Sequence, residues 1–470
     1  MEKPRLGVFY WHNPTRVGNL FLVGNLRSDF HVLIISNENA PFLKRFGDDV
    51  LVSHYGNVTG IIEELRKYRD KSGLDGLITL SEGAVTLLAD AQESLNIEGN
   101  DAAATRFGRN KHWMRKLFAE KGIPSPKSIA VHSLEEAMTI AKKEFDWTLF
   151  LKPPCIGGSA YCRKITGPTQ LQEVWEEYFE GSKERTAKDP LFQEMFGKEG
   201  SGYYLLMEEL LGGTRLPYDD VLGKRFPVFE MSVEGFIEGD RTKAYSMTDK
   251  MLPEKGVVNC EEYLWRMHSR IPSGMKKVLV ERVNLINRAL GMRSGCSHTE
   301  FRIEETTREH ADAEYEGVFY RARVIETAMR IGGAYMQPAI YQATGFNSIR
   351  AMADQACRIE SKENVLFRMP MIMGNIWPEK EGIMEGILGL DNILTLGERC
   401  GGVRIYDRNG ARVAIPPEAC RAIGDFIIQD PSQDVLNQTD WETKSGESSP
   451  YRETETAFLD AITNIKVRLK

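Results

Sequence analysis

Two short stretches of this 470-residue chain, SHTEFRI (297–303) and VIETAMRIGG (324–333), alternate polar and apolar residues with the two-residue period of a β-strand. In the first, His298, Glu300 and Arg302 share one face, and Thr299, Phe301 and Ile303 share the other. In the second, Glu326, Ala328 and Arg330 point one way and Ile325, Thr327 and Met329 the other. If the two strands pair as a hairpin, Glu300 and Glu326 meet on a common polar face. Neighbouring carboxylates repel unless a cation lies between them. Hard oxygen ligands suit Mg²⁺, which keeps several waters and accepts substrate phosphates as further ligands. Arg330 would then stand against a phosphoryl group, and Gly332 and Gly333 let the chain bend or something approach its backbone. A surface salt-bridge ladder accounts for the same alternation, so these strands alone leave both readings open.

The rest of the chain reads as α/β. RLGVFYW, HVLIIS and GLITLS are short buried strands separated by helical or turn segments, which predicts a small open α/β unit in the first hundred residues. NKHWMRKLFAE (110–120) has helical spacing and ends at Gly122-Ile123-Pro124. SLEEAMTIAKKEF follows as a helix, with Ser133 as N-cap and Glu136 at the capping-box position. QLQEVWEEYFEG is a further amphipathic helix, and the charged GSKERTAKDP (181–190) reads as a loop. FEMSVEGFIEGDRTKAYSMTDKM predicts two strands joined at Glu238-Gly239-Asp240, and a helix runs from about Pro272 to Leu290. The last hundred residues mix short strands such as GGVRIYD and ARVAIP with a terminal amphipathic helix.

Between these elements sit groups suited to anions. TLFLKPP (148–154) is a strand ending near Lys152, followed by Gly157-Gly158-Ser159. Glycines let backbone N–H groups approach an anion and serine adds a donor, although a plain hairpin turn has the same composition. Lys111 at a helix start reads equally as a solvated lysine. In Met207-Glu208-Glu209-Leu210-Leu211 a strand end could offer backbone groups to an adenine edge, or form an ordinary sheet edge.

Composition excludes several classes. A formal charge of −7 argues against a broad nucleic-acid surface, and no apolar run approaches the roughly 20 residues that span a bilayer. MEKPRLGVFYWHNP lacks the basic-then-apolar form of a signal peptide, so the expected compartment is the cytoplasm. Seven cysteines (155, 162, 260, 296, 357, 400 and 420) form no CxxC pair, which fits reduced thiols there. Without a secretory signal the glycosylation patterns at Asn57 and Asn437 carry no weight. HExxH, GxxxxGK[ST] and GxGxxG are all missing, so zinc-protease, P-loop and dinucleotide readings have no motif support.

Taken in order, from about Asp75 to Arg330, these segments resemble the ATP-grasp superfamily. GLITLSEGAV through KGIPSPKS, FLKPPCIGGSAY, LLMEELL, SVEGFI with TDK, and HTEF with VIETAMRIGG carry the resemblance. It implies an α/β fold with α+β lobes: an N-terminal pre-ATP-grasp domain (1–105), a small lobe bearing the phosphate loop (106–205), a large lobe with the Mg-ATP site (206–365) and a C-terminal mixed α/β region (366–470). It implies that Lys111 and Lys152 contact phosphates or adenine, and that Gly157, Gly158 and Ser159 cover the triphosphate. Glu208, Glu209 and Leu211 would frame adenine, and Lys250 would approach the terminal phosphate. Glu300 and Glu326 would bind Mg²⁺ or Mn²⁺, with Arg330 and Lys250 catalytic and His298, Gly332 and Gly333 towards the substrate.

Many members carry an asparagine two residues after the second glutamate; here that position is Ala328. The HTE…IE-x-A-x-R form is more similar to the bacterial L-amino-acid ligases of dipeptide and peptide-antibiotic synthesis. The implied activity is ATP-dependent amide formation between an amino acid or related carboxylate and an amino acid, through an acyl phosphate. Biotin-carboxylase-like and nucleotide-pathway ligases share this machinery, and a non-catalytic ATP-binding module is the reading from a different class. The implied partners are ATP and small carboxylate and amine substrates, without nucleic acid or membrane, and a homodimer stays open.

Overall fold

Each apolar run expected to open the chain is a strand: Arg5–Tyr10, His31–Ser36 and Gly76–Thr79. They belong to a computed structural model that describes residues 2–197, 199–212, 222, 228–252, 262–366, 368–415, 422–432 and 451–470. Cys260, Cys420, Pro416 at the end of ARVAIP and the Asn437-Gln-Thr439 sequon lie outside the described residues.

Among these residues the strands form four sheets. In the first, the three N-terminal strands and Asp49–Val52 pair in parallel. Parallel sheets need cover on both faces, and alternation along Arg5–Tyr10 supplies two apolar surfaces. Phe9 packs with Ile61, Leu65 and Leu87 of the helices Val58–Ser72 and Val85–Ser94. Leu6, Val8 and Tyr10 instead meet Leu20 and Val23 of the helix Val17–Asn25. Ile340 and Ile349, from the helices Met336–Thr344 and Ser348–Ala356, join that same cluster. The N-terminal unit is thus clamped onto the segment that follows VIETAMRIGG.

The second sheet is antiparallel, in the order Ser128–Val131, Leu205–Glu209, Leu149–Lys152, Arg163–Ile165. Leu149 and Leu151 are fully buried on it, each contributing about 1.5–3 kcal/mol by removal from water. The helices Leu134–Phe145 and Pro168–Thr186 cover it. Ser133 caps the first of them, accepting from the Glu136 N–H at 3.2 Å, while the Glu136 carboxylate accepts from the His132 N–H at 2.7 Å. The second helix corrects one expectation. Residues 181–186, read as loop, continue it; Lys183, Glu184 and Arg185 are good helix formers, and Ser182 is buried with its hydroxyl 2.8 Å from that of Tyr203.

The third sheet has nine strands and runs Ala313–Tyr315, Val318–Ala328, Cys296–Glu305, Val228–Glu238, Arg241–Leu252, Leu264–Met267, Met371–Ile376, Gly424–Gln429, Cys400–Ile405. Strands on both sides of residue 365 therefore lie in one sheet. The helix Ser273–Ala289 packs Leu279, Val283 and Ile286 against its core. The fourth sheet is small: Arg412–Val413, Gly382–Leu388 and Lys466–Leu469.

A β-bulge decides what the hairpin of the third sheet presents. Glu300 pairs with Glu326, but its neighbour Phe301 pairs with Val324, leaving Ile325 as the extra residue. Val324 can therefore be fully buried in the core while Glu326, two residues on, turns to the opposite face. Strict alternation predicts Ile325 on the apolar face beside Thr327 and Met329; the bulge turns Ile325 to the cleft instead. The strand also ends at Ala328, so Arg330 leaves from the bend beyond it rather than from the strand itself.

Candidate active site

The second and third sheets and the N-terminal segment 13–16 enclose a cleft of about 300 Å³. It brings together every residue singled out in the sequence except Gly157 and Gly332. Gly157 lies just behind, where a Cβ would stand 3.6 Å from Glu82 Cγ. Gly332 lies behind His298, where a Cβ would come within 3.3 Å of Nδ1 and 3.2 Å of Glu234 Oε2. The same Cβ would come closer still to Met336 Sδ, so a side chain would crowd all three.

One wall comes from the second sheet. Lys152 ends its strand 3% exposed, with Nζ 2.6 Å from Glu208 Oε2, and Arg115 Nε reaches Glu208 Oε1 at 2.9 Å. Two cations thus share one carboxylate. Burial lowers the Lys152 pKa, and although Glu208 opposes this, the charges of Arg115 and Lys111 lower it further. The Glu208 carboxyl is held low despite burial, by Arg115 and Lys152. Lys111 sits 3.3 Å from Glu326 Oε2 and donates to the Ile156 carbonyl at 2.7 Å. Against burial, Glu326 keeps its pKa raised. Above these lysines the loop is wound left-handed, with φ +70° at Gly158, +56° at Ser159 and +55° at Tyr161. Such backbone is costly outside glycine and concentrates where function requires it. The acid next to Glu208, Glu209, is held by Arg323 through two hydrogen bonds of 2.6 Å.

The facing wall comes from the third sheet and is acidic. Glu230, Glu262 and Glu300 place carboxylate oxygens within 4.8 Å of one another. Lys250, 2% exposed, lies 2.9 Å from Glu262 and is also hydrogen-bonded to Glu300. Against burial, the charges of Glu262, Glu300 and Glu230 push its pKa well up. His298 bridges Glu234 through Nδ1 and Glu300 through Nε2 at 3.0 Å. Although burial opposes it, Glu234 and Glu300 raise the imidazole to about 9. Burial and the Glu300 charge raise Glu230, against Arg302 at 3.0 Å. The expected pair, Glu300 and Glu326, faces across the hairpin register, but the acids that cluster are Glu300, Glu230 and Glu262; Glu326 stands apart with Lys111. An all-carboxylate set of this kind suits a hard divalent cation.

Arg330 closes the end towards the N-terminal unit. Its Nε donates to Glu82 at 2.7 Å, and Arg109 Nε shares that carboxylate at 3.0 Å. Arg330 and Arg109 hold the Glu82 carboxyl at about 2 in spite of burial.

Sequence reasoning passed over Arg16, Glu82, Arg115, Glu230, Glu234 and Glu262. Two of these left a signal: in FEMSVEG, Glu230, Ser232 and Glu234 alternate onto one face, and the register sets them beside Arg302, Glu300 and His298. The others come from segments with no strand pattern pointing at the site.

No family model matches the sequence. The chain is 24% identical over 298 residues to the alanine–anticapsin ligase of Bacillus subtilis (strain 168), a match covering 63% of this chain and 57% of that protein. It thus spans little more than half the length of that curated relative. Among solved structures, an L-amino acid ligase from Bacillus licheniformis superposes with a TM-score of 0.71 at 16% identity, covering 100% of both chains. N5-carboxyaminoimidazole ribonucleotide synthetase from Thermotoga maritima gives 0.63 at 15% identity, covering 99% of this chain and 100% of the other. On these likenesses the chain has the ATP-grasp fold.

Proposed function

We propose that this chain is an ATP-dependent ligase that joins the carboxylate of an amino acid or related acid to the amine of an amino acid. One observation carries the reading. Lys152 and Lys250 are equally buried on facing walls, yet one wall has cations in excess and the other carboxylates. A polyphosphate bound with a divalent cation needs that polarity: cations around the phosphates, acids around the metal. The likeness to an alanine–anticapsin ligase and to an L-amino acid ligase supports amino acids as substrates.

In this reading Lys111, Lys152 and the Gly157–Ser159 loop hold the phosphates, and Glu208, Glu209 and Leu211 frame adenine. Glu300 and Glu326 would hold Mg²⁺ or Mn²⁺, with Glu230 and Glu262 adding to the acidic field. The bound ion supplies charge neutralisation at the transferring phosphoryl group. The substrate carboxylate attacks the γ-phosphorus, giving an acyl phosphate and ADP. Arg330 and Lys250 stand where charge develops on the phosphoryl oxygens. The amine of the second substrate then attacks the acyl carbon, loses a proton and expels phosphate. The covering loop keeps water from the acyl phosphate. Residues 1–105, 106–205, 206–365 and 366–470 serve as the N-terminal unit, small lobe, large lobe and C-terminal region. The five described cysteines are thiols rather than disulfides, which supports a reducing cytoplasm as the location. Among the described residues no helix is long and apolar enough to cross a membrane.

Phosphate release from Mg-ATP, measured over pairs of amino acids, tests the reading. Certain pairs should release phosphate well above either member alone, with an amide visible by mass spectrometry. Nucleotide binding without amino-acid-dependent phosphate release from any pair would overturn it.

A further inference from the structure

The N-terminal unit contributes a cation to the cleft that the ligase chemistry above does not use. Asn13 accepts from the Thr15 N–H at 3.0 Å and from its hydroxyl at 2.8 Å, tying off the short turn Pro14–Arg16. Arg16 then faces the cleft, with Nη1 donating to the Leu80 carbonyl at 3.1 Å. Its place relative to Arg330 is fixed by packing. The helix that begins at Val17 lies so close to Tyr335 that a Cβ on Gly18 would collide with the ring, and a Cβ on Gly333 would sit 3.7 Å from Arg16 Nη2.

The charges here do not balance. Arg109 pairs with Glu82 at 3.0 Å and Asp189 at 2.8 Å, and Arg330 shares Glu82 at 2.7 Å. Lys111 is matched by Glu326. Arg16 forms no ion pair among the described residues. Three guanidiniums therefore face two carboxylates. Burial and the neighbouring Arg330 charge lower Arg16 to about 10, outweighing the opposing charge of Glu82, which Arg330 and Arg109 already share. An unmatched half-buried guanidinium facing a cleft calls for an anionic ligand group.

Resting on the ligase reading, we infer that Arg16 binds the carboxylate that stays a carboxylate throughout the reaction, the free α-carboxylate of the amine-bearing substrate. The carboxylate that is activated loses its charge on phosphorylation, so a fixed cation devoted to it would favour the ground state over the acyl phosphate. The spectator carboxylate keeps its charge from binding to release. An interaction equal in ground and transition states lowers KM and leaves kcat nearly alone. Arg16 is thus a specificity-determining residue: it admits free amino acids as amine donors and disfavours amines lacking a carboxylate.

The test compares glycine, L-alanine and L-phenylalanine with their carboxamides as amine donors, the other substrate being saturating. A carboxamide keeps the amine and the shape and removes only the charge. The wild type should favour the acid over the amide by ~10²-fold in kcat/KM, within the range for a truncated buried charge pair. In Arg16→Met that ratio should fall to about threefold or less, through KM for the acid, with ATP affinity and melting temperature close to wild type; Arg16→Lys should keep about a tenfold preference. An undiminished ratio in Arg16→Met overturns the inference and leaves the ligase reading standing. A wild-type ratio near one does the same, and decides the matter should the methionine variant fail to fold. Absence of amino-acid-dependent phosphate release in the wild type overturns both.

Discussion

Lys152 and Lys250 occupy two different sheets that line one cleft, at 3% and 2% exposure, and their surroundings act on them in opposite senses. Lys152 is buried with Glu208 and Glu326, which are offset by the added charges of Arg115 and Lys111, and its pKa is lowered. Lys250 has Glu262, Glu300 and Glu230, and its pKa is raised. Burial is the same for both; only the neighbours differ. The cleft therefore sorts charge by wall, and the lysines serve different ends. In the proposed reading Lys152 would meet an anion, and Lys250 would offset the acids that hold a divalent cation.

The contrast is broken most severely by removing an acid from the third-sheet wall. Glu300→Gln should reduce turnover by ~10³-fold, the upper end for a lost electrostatic contact to a transition state. It should weaken nucleotide binding only when Mg²⁺ is present, as read by titration with and without a chelator. Lys152→Met should weaken nucleotide binding in both conditions. Equal metal dependence in the two variants would remove the distinction between the walls.

Arg330→Lys sharpens the comparison at the closing end. Lysine keeps the charge but not the planar fork that spans Glu82 and a reacting group, so turnover should fall by ~10²-fold while nucleotide affinity holds. Stopped-flow turnover beside nucleotide titration separates these effects.

Gly158 comes next. No atom lies within 4 Å of where its Cβ would be, so a side chain meets no clash, but its φ of +70° is strained for valine. Gly158→Val should cost about tenfold in nucleotide affinity, or ~1.4 kcal/mol, with little change in melting temperature. A collapse of stability with unaltered affinity would make the loop purely structural.

A last effect concerns acid stability rather than turnover. Glu82 drops from an ordinary 4.5 to about 2, so it contributes stability above pH 4.5 that is lost as pH falls through 2. At about 1.4 kcal/mol per pKa unit the contribution is on the order of 3 kcal/mol. Glu82→Gln should lower the melting temperature at neutral pH and flatten its decline between pH 4.5 and 2. An unchanged acid limb would place the pH dependence on other carboxylates.

Much of this site was legible because its residues sit where local pattern is strongest. Alternation put His298, Glu300 and Arg302 on one face, and the register joins Glu300 to Glu326 as a hairpin requires. The Ile325 bulge was not legible, because one extra residue in a ladder depends on both strands and on the core that Val324 fills. Helix was missed at 181–186 because a run of charges looks solvated, and its inward face carries the polar Ser182 and Thr186 rather than apolar residues. Arg16 and Glu82 belong to a unit whose sequence reports its own sheet. Their approach to Arg330 follows from the packing of residues 336–356 onto that sheet, which no local pattern encodes.

In the proposed reaction, carboxylate activation proceeds by phosphoryl transfer, with the acid wall and Arg330 acting at the terminal phosphate. Chromatography of the nucleotide formed during turnover, on the amino-acid pair with the fastest phosphate release, tests this most directly. ADP and phosphate should form in equal amounts, matched one for one by amide and only when both substrates are present. AMP and pyrophosphate as the products would contradict it, because the charge that needs neutralising would then develop at the α-phosphate.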